Sequence, residues 1–477
     1  VNSPEWWADR LSKKLSARQS KLERLERYYD GKQPLSFATS QFRAEFGSML
    51  AAVQDNWCQL VVSAVEERLD VEGFRVGDDD QADAQAWNLW QANGLDADSQ
   101  VAHTEALKLS EAHVIVWRPD LDAPPVITVE HPKYVTVELD PENRSRRLAA
   151  AKVWRDPDDG RLCTVYLPDR IVKLRAGQRG WEPRPSAGDQ WQIDNPLGVV
   201  PVVPLFNRPG LLTEAASEIE SILPKQDMVN KLIADMMIAA EYGAFRQRWA
   251  TGIEVPKDPI TGEDLEDFQT AVDRLWHVPA PDAKFGEFEQ TDLNVYVKAI
   301  EMLVQHIASQ TATPPHYLLS TGQLPSGESL RAAEAPLVAK ARRKQRIFGQ
   351  AWEEVTRLAL RLDGRDDVDQ STVIETIWRD PENRTEAEHI DAVIKQKALD
   401  VPIEELWRLA GFSQVEIDRM RRQRVEQLTM LALGQPITAF DGEGVPADEI
   451  KTRAEAAQAL VAGGMSLDDA LHKAGLA

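Results

Sequence analysis

Apolar side chains recur every three or four positions from the start of the chain. Leu11, Leu15, Leu22, Leu25 and Tyr29 define one helix face. Ser3 reads as its N-cap, Pro4 as its first helical residue and Glu5 as a first-turn acid, and Tyr28-Tyr29-Asp30-Gly31 closes it. The same spacing predicts a helix over about 48–69, with Met49, Val53, Trp57, Leu60, Ala64 and Val65 on one face. Another is predicted over about 80–92, carrying Trp87 and Trp90 and stopping at Asn93-Gly94. From residue 112 the period falls to two. Strands are predicted at 113–117, 126–130, 134–139, 149–154, 162–167 and 171–175, separated by Pro, Asp and Gly turns and ending in Pro196-Leu197-Gly198. The strands follow the helices rather than alternating with them, which points to an α+β fold, mainly helical, and not to a parallel sheet.

The helical period returns after Pro209-Gly210. Met228, Leu232, Met236, Met237, Ala240 and Ala244 mark a long helix that Pro224 opens or kinks. Arg246 and Arg248 stand near its end, where cations suit the helix dipole. A compact β–α–β signal follows (252–255, 263–275, 277–288), then a helix over 292–310 and a Pro-, Thr- and Gly-rich stretch over 311–327. Next comes a helix of about 34 residues over 328–361. One returning strand is predicted at 372–378. Beyond it the pattern is helical, with capping boxes at Thr385-x-x-Glu388 and Ser413-x-x-Glu416 and further helices near 446–462 and 466–474.

Composition narrows the class. The 477 residues are 43% hydrophobic and 28% charged, enough to fill a core. Two cysteines, Cys58 and Cys163, cannot make a disulfide framework or a four-ligand zinc site. No apolar run approaches a membrane span, since the candidate at 199–206 is interrupted by Pro201 and Pro204. The first residues show no secretory pattern, so a reducing compartment is expected. A net charge of −22 argues against a free, tight DNA-binding domain, because such affinity comes from neutralising phosphates.

Catalytic motifs are missing: no phosphate-binding loop, dinucleotide fingerprint, zinc-protease helix or nucleophile elbow is present. Asp156-Pro157-Asp158-Asp159-Gly160 imitates a calcium loop but lies between strands and reads as a turn. His103 and His113, ten residues apart, lie on different elements, and Cys58 sits on an apolar helix face. No enzyme activity and no cofactor are expected. Two features remain. Residues 252–292 hold eleven acids against three bases, net −8, including Asp258, Glu263, Asp264, Glu266, Asp267 and Asp273. Residues 302–327 then carry no Asp, Glu, Lys or Arg, while the long helix after them has eight bases against four acids.

Laid out in order, these motifs make the chain resemble the portal proteins of tailed bacteriophages, of the SPP1-like type. The resemblance rests on Tyr28-Tyr29-Asp30-Gly31-Lys32-Gln33-Pro34, Asn56-Trp57, Glu67-Arg68-Leu69 and Glu72-Gly73-Phe74-Arg75. It continues through Trp90-Gln91-Ala92-Asn93-Gly94-Leu95-Asp96, Asn195-Pro196-Leu197-Gly198 with the apolar residues to Val203, and Gln226-Asp227-x-x-Asn230. Residues 241–252 and Ser326-Gly327-Glu328-Ser329-Leu330-Arg331-Ala332-Ala333-Glu334 complete it. One departure is Ser110-Glu111-Ala112-His113, where the family pattern leads one to expect a glycine before the strand.

The resemblance implies a ring of about a dozen subunits around a channel at one capsid vertex, built from wing, stem, clip and crown. Residues 1–212 would be wing, 213–249 and 292–310 stem helices, and 250–291 the clip between them. Residues 311–327 would be a tunnel loop, 328–380 a long helix kinked at Pro336 plus the returning strand, and 381–477 the crown. Double-stranded DNA would pass without sequence recognition. The terminase, then a head-completion adaptor, and the capsid and scaffolding proteins would be partners, in virions assembled in the host bacterial cytoplasm. Within that frame Thr313, His316, Leu318, Leu319, Thr321, Gln323 and Leu324 are expected to face DNA. The acidic clip residues should meet motor and adaptor, and Lys340, Arg342, Arg343, Lys344 and Arg346 should join neighbouring subunits. Trp6, Trp7, Trp181 and Trp191, among 14 tryptophans, are candidate interface anchors. The rival expectations are another virion structural component or a metal-dependent nuclease.

Overall fold

The computed structural model describes residues 3–36, 54–77, 81–118, 123–184, 190–211, 214–244, 248–252, 284–287, 292–318, 327–382, 401–410 and 419–425, with single residues at 40, 44, 47, 282, 412 and 417. The chain divides into two compact units, Val1–Pro381 and Glu382–Ala477.

In the first unit, α1 (Pro4–Tyr29) begins as its sequence dictates: the Ser3 side chain accepts the Trp6 N–H at 3.3 Å and Pro4 occupies the first turn. Its apolar stripe serves two cores. Ala8, Leu11 and Leu15 cover a sheet, while Leu22, Leu25 and Tyr28 enter the largest core. Of the second predicted helix, residues 54–56 are not helical and α2 (Trp57–Glu66) starts after them, capped by Asn56, which accepts the Gln59 N–H at 3.3 Å; residues 48–53 lie outside the described residues. α3 (Ala84–Ala92) is capped by Asp83.

α4 (Leu95–Leu109) is a helix the pattern did not announce. It starts without a side-chain cap, from Gly94 at φ +67°, and it buries Ser99, His103 and Lys108 among its apolar residues. Those polar positions blur the apolar stripe that would have revealed it.

Among the described residues every strand pairing is antiparallel. β2 (Glu111–Trp117) lies between β3 (Val126–Glu130) and β10 (Val202–Phe206). A larger sheet runs β4 (Val135–Leu139), β5 (Arg147–Asp156), β6 (Gly160–Tyr166), β7 (Arg170–Gly177) and β8 (Gly180–Pro183). A short β9 (Gln192–Asp194) also joins β7. β1 (Val71–Val76) pairs with β13 (Ile374–Trp378), the predicted returning strand. β1, β8, β9 and β10 are additions to the sequence reading. β10 carries Pro204 opposite His113, which is tolerated because β10 is an edge strand. The mixed helix-and-sheet architecture agrees with the α+β reading.

α8 (Gly327–Leu362) is the long helix, about 54 Å at 1.5 Å per residue. Pro336 divides it: residues 327–336 stay outside the core, and burial begins at Leu337. Exposure there lets water satisfy the Ala332 carbonyl that a proline cannot. Phe348 and Trp352 then fill the centre of the largest core. In the second unit, α9 (Ile403–Leu409) is tied to a following helical turn by Arg421, whose guanidinium meets Glu404 at 2.5 Å. The two capping boxes and the last two predicted helices lie outside the described residues.

Candidate functional site

The elements whose sequence outruns their burial are α5 (Leu223–Ala244) and α6 (Asn294–Thr311), which pack together. The first two turns of α5 are anchored in the core by Val229 and Ile222 just before it. Over 231–239 only Ala234 is buried, although Leu232, Ile233, Met236, Met237 and Ile238 are apolar. α6 repeats the asymmetry. Leu303, Val304, Ile307 and Ala308 are buried, while Val295, Val297 and Met302 are 64%, 42% and 51% exposed. At the far end β11 (Arg248–Thr251) pairs with β12 (Lys284–Glu287). Helix α5 is described as far as Ala244, Arg246 lies outside the described residues, and Arg248 is a strand residue rather than a cation in the helix's last turn. The acids Asp258, Glu263, Asp264, Glu266, Asp267 and Asp273 lie outside the described residues.

Three polar nodes fasten the base of this pair. In the first, Tyr28 donates its hydroxyl to Asp227 at 2.8 Å. Gln226 spans the neighbouring backbone, donating to the Asp55 carbonyl at 2.8 Å and accepting the Trp57 N–H at 2.9 Å. Asn230 accepts the Asp55 N–H at 3.1 Å, and Asn56 donates to the Tyr29 carbonyl at 2.6 Å. Three of the motifs quoted for the resemblance thus converge on one buried joint. Burial, then the Asp227 hydrogen bond, pushes the Tyr28 hydroxyl above its ordinary pKa.

The second node is ionic. Glu218, 4% exposed, holds Lys344 at 2.5 Å and Lys340 at 2.7 Å. Asn207 shares the site, donating to Glu218 at 3.2 Å and accepting from Lys344. Lys340 also donates to the Thr311 carbonyl at 2.9 Å, putting a cation on the C-terminal end of α6. Burial alone would raise the Glu218 carboxyl, but the two ammonium groups outweigh it and hold the pKa down to about 2. This corrects the expectation for Lys340 and Lys344: both are spent inside their own chain. Arg342 faces Asp380 at 3.4 Å, also in the same chain. Arg343 and Arg346 are exposed and without an ion pair among the described residues. Neither Glu218 nor Asn207 stood out in the sequence, since one surface-type acid after a Pro-Gly turn carries no distinguishing signal.

The third node holds the link between α6 and α8. Residues 315–318 form a short helix, α7 (Pro315–Leu318). Arg68 donates to the Tyr317 hydroxyl at 2.9 Å and meets Glu334 at 3.4 Å, and Tyr317 donates to Glu334 at 3.1 Å. His316 is partly exposed, its Nε2 3.7 Å from Glu334. Thr313 is 3% exposed with its hydroxyl 2.9 Å from that of Thr311, and Leu318 is 5% exposed. These two are therefore core residues and not open to a lumen, a correction to the loop as drawn from sequence. Within the first half of the charge-free run, Leu303, Val304, Ile307, Ala308 and Thr311 are buried, while Gln305, His306, Ser309 and Gln310 are exposed and polar without charge. Leu319, Thr321, Gln323 and Leu324 lie outside the described residues.

The tryptophans divide similarly. Trp7, Trp181 and Trp191 pack onto the core between α1 and the large sheet, while Trp6 is 42% exposed. Cys58 and Cys163 are buried free thiols, pushed up to about 12 by burial. His103 and His113 are both buried, on α4 and β2. Among the described residues no group of three His, Cys, Asp or Glu could hold a metal, and no helix is long and apolar enough to cross a membrane.

Comparison with known proteins follows the same lines. A family model described as phage portal protein, SPP1 Gp6-like, matches residues 8–429. The portal protein of Mycobacterium phage D29 is 32% identical over 457 residues, covering 88% of this chain and 91% of that one. The portal protein of Mycobacterium phage L5 is 32% identical over 438 residues, covering 87% of each. A solved chain from the virion of a native gene transfer agent particle aligns over 85% of this chain and 96% of its own, at 10% identity and a TM-score of 0.41. On the family match and the two mycobacteriophage relatives, this chain belongs to the SPP1-like family of phage portal proteins.

Proposed function

We propose that copies of this chain close into a ring of about a dozen subunits at one capsid vertex, leaving an axial channel for double-stranded DNA during packaging and ejection. The observation that carries this is the half-covered α5–α6 pair. A helix whose apolar residues continue past its buried turns requires a covering surface, and identical helices set side by side around an axis supply one.

In this reading 213–249 and 292–310 are stem and 250–291, with the β11–β12 pair, the clip. Residues 1–212 with 328–380 form the wing, and 381–477 the crown. The acidic clip meets the terminase during filling and the head-completion adaptor afterwards by charge complementarity, while capsid and scaffolding proteins surround the wing. The tunnel loop contracts to 319–326, with His316 at its edge. Arg343 and Arg346 remain as cations for a neighbouring subunit. The chain performs no chemistry itself: an ATP-driven motor supplies the work. Assembly takes place in the host cytoplasm, and the ring stays at the portal vertex of the virion.

Electron microscopy of the purified full chain tests the reading. Rings with an axial hole wide enough for a duplex support it. Monomers at every concentration and ionic strength overturn it.

A further inference from the structure

The ionic node at the end of α6 buries one more cation than anion. Lys340 and Lys344 share the carboxylate of Glu218, and Arg208 adds its positive field at Lys344. Among the described residues no second acid pairs with either ammonium. Asn207 is fully buried and Lys344 is 2% exposed, so water scarcely reaches the surplus charge. A buried ammonium without a counter-ion of its own is costly to keep.

The side chains around it stand in a reactive order. Lys344 donates its ammonium to the Asn207 side-chain oxygen and to Glu218 Oε1, the latter at 2.5 Å. The Asn207 amide nitrogen donates to that same Glu218 oxygen at 3.2 Å. One carboxylate oxygen therefore touches both the amine of Lys344 and the amide nitrogen of Asn207. Asn207 is held from several sides. Its Nδ2 also donates to the Ala216 carbonyl at 2.7 Å and its backbone N–H to the Ser110 carbonyl at 2.8 Å, while its own carbonyl accepts the Ala216 N–H at 3.1 Å. Lys344 belongs to α8 and Asn207 directly follows β10, two elements that pack together.

We propose that Lys344 and Asn207 join through an isopeptide bond formed within the folded chain, with Glu218 as the proton carrier. Glu218 takes a proton from the Lys344 ammonium. The freed amine attacks Cγ of Asn207, and the carbonyl electron pair moves onto oxygen as the new C–N bond forms. Glu218 then gives its proton to Asn207 Nδ2 and takes one from the new nitrogen. The oxygen's electron pair re-forms the carbonyl, the Cγ–Nδ2 bond breaks, and ammonia leaves with the remaining proton as ammonium. One ammonium and one primary amide become one secondary amide and one ammonium ion, so atoms and charge balance.

Burial, ahead of the attraction of Glu218, lowers the Lys344 ammonium from its ordinary pKa, which favours the nucleophilic amine. The two lysines keep Glu218 ionised and able to accept a proton. Little free amine is needed, because nucleophile and carbonyl are held in contact. The reaction sends the surplus cation to water and leaves Lys340 and Glu218 as a matched pair. The bond ties together the two ends of segment 208–343, which contains α5, β11, β12, α6 and α7. Like a disulfide across a long loop, it restricts the unfolded chain and fixes α8 to the end of β10. It forms within one chain, so it stands or falls separately from the ring.

Mass spectrometry of the intact, denatured full chain tests it. After the folded protein has been incubated at neutral pH, the wild type should be about 17 Da lighter than its sequence requires, the mass of ammonia. Proteolysis should release the peptides carrying Asn207 and Lys344 as one branched species. Lys344→Met, which removes the surplus charge, and Asn207→Ala should keep the masses their sequences require. Glu218→Gln should keep its full mass as well, in chains that circular dichroism melting shows to be folded. A wild type of full mass with the two peptides separate overturns the proposal, and that result needs no variant. The same loss with the two peptides still separate, as succinimide formation at an asparagine would give, overturns it equally. A folded Glu218→Gln chain that links as fast as the wild type does so too, since the proton carrier is then missing.

Discussion

The indole N–H of Trp352 donates to Nε2 of His103 at 2.8 Å, joining α8 to α4 in the largest core. Accepting at Nε2 requires the neutral imidazole. Burial holds that form, lowering the His103 pKa to about 3 from 6.5. Between those values the unfolded chain takes up a proton that the native chain refuses. Stability is therefore full above about pH 6.5 and falls with pH, by up to about 1.4 kcal/mol per unit, until about pH 3. Urea midpoints measured from neutral pH down to about pH 5 should decline along this course, and His103→Gln should flatten the slope.

Glu218 gives a second acid limb with the same sign. Its carboxyl is held at about 2 against an ordinary 4.5, so its contribution is complete above about pH 4.5 and disappears as pH falls through about 2. At neutral pH, Glu218→Gln leaves two buried ammonium groups facing a neutral amide. The expected cost is about 3–5 kcal/mol, read as a lower urea midpoint. Arg343→Ser and Arg346→Ser, both exposed, should each shift stability by no more than about 0.5 kcal/mol.

Ser110 has φ +77° and ψ −21°, a left-handed conformation at the turn from α4 into β2. A side chain there costs about 1–2 kcal/mol, part of which glycine returns as unfolded-state entropy. Ser110→Gly should stabilise the chain by about 0.5–1 kcal/mol in thermal or urea unfolding, with no effect on assembly. A destabilised variant would show that the Ser110 side chain makes a contact outweighing the strain.

Under the proposed function, an uncharged constriction lets a polyanion slide because no fixed cation grips its phosphates. Thr321→Arg with Gln323→Arg should slow or stall DNA packaging, and more so at low salt. Normal yields of packaged DNA in phage carrying both changes would count against it.

Sequence legibility followed periodicity closely. The strand over 126–130 and the helix from Glu328 to Arg361 emerged nearly at their structural bounds, since one alternates cleanly and the other has a long apolar stripe. Helix α4 stayed hidden because Ser99, His103 and Lys108 are polar residues buried by tertiary contacts. β10 was hidden by Pro204, whose tolerance depends on an edge position that only the sheet order reveals. At the candidate site, the motif residues Tyr28, Asn56, Gln226 and Asp227 were visible, but not that they meet. Charge counting misassigned Lys340 and Lys344, because it cannot tell a solvated face from one that ends on a buried Glu218.

Tyr28 finds Asp227 only after 199 further residues have been joined to the chain. At a bacterial synthesis rate of about 5–20 residues per second, the N-terminal helix waits roughly 10–40 s for the carboxylate that receives its hydroxyl. The first half of a nascent chain therefore leaves the ribosome with this seam still open, and the buried joint closes only once the start of α5 has been made.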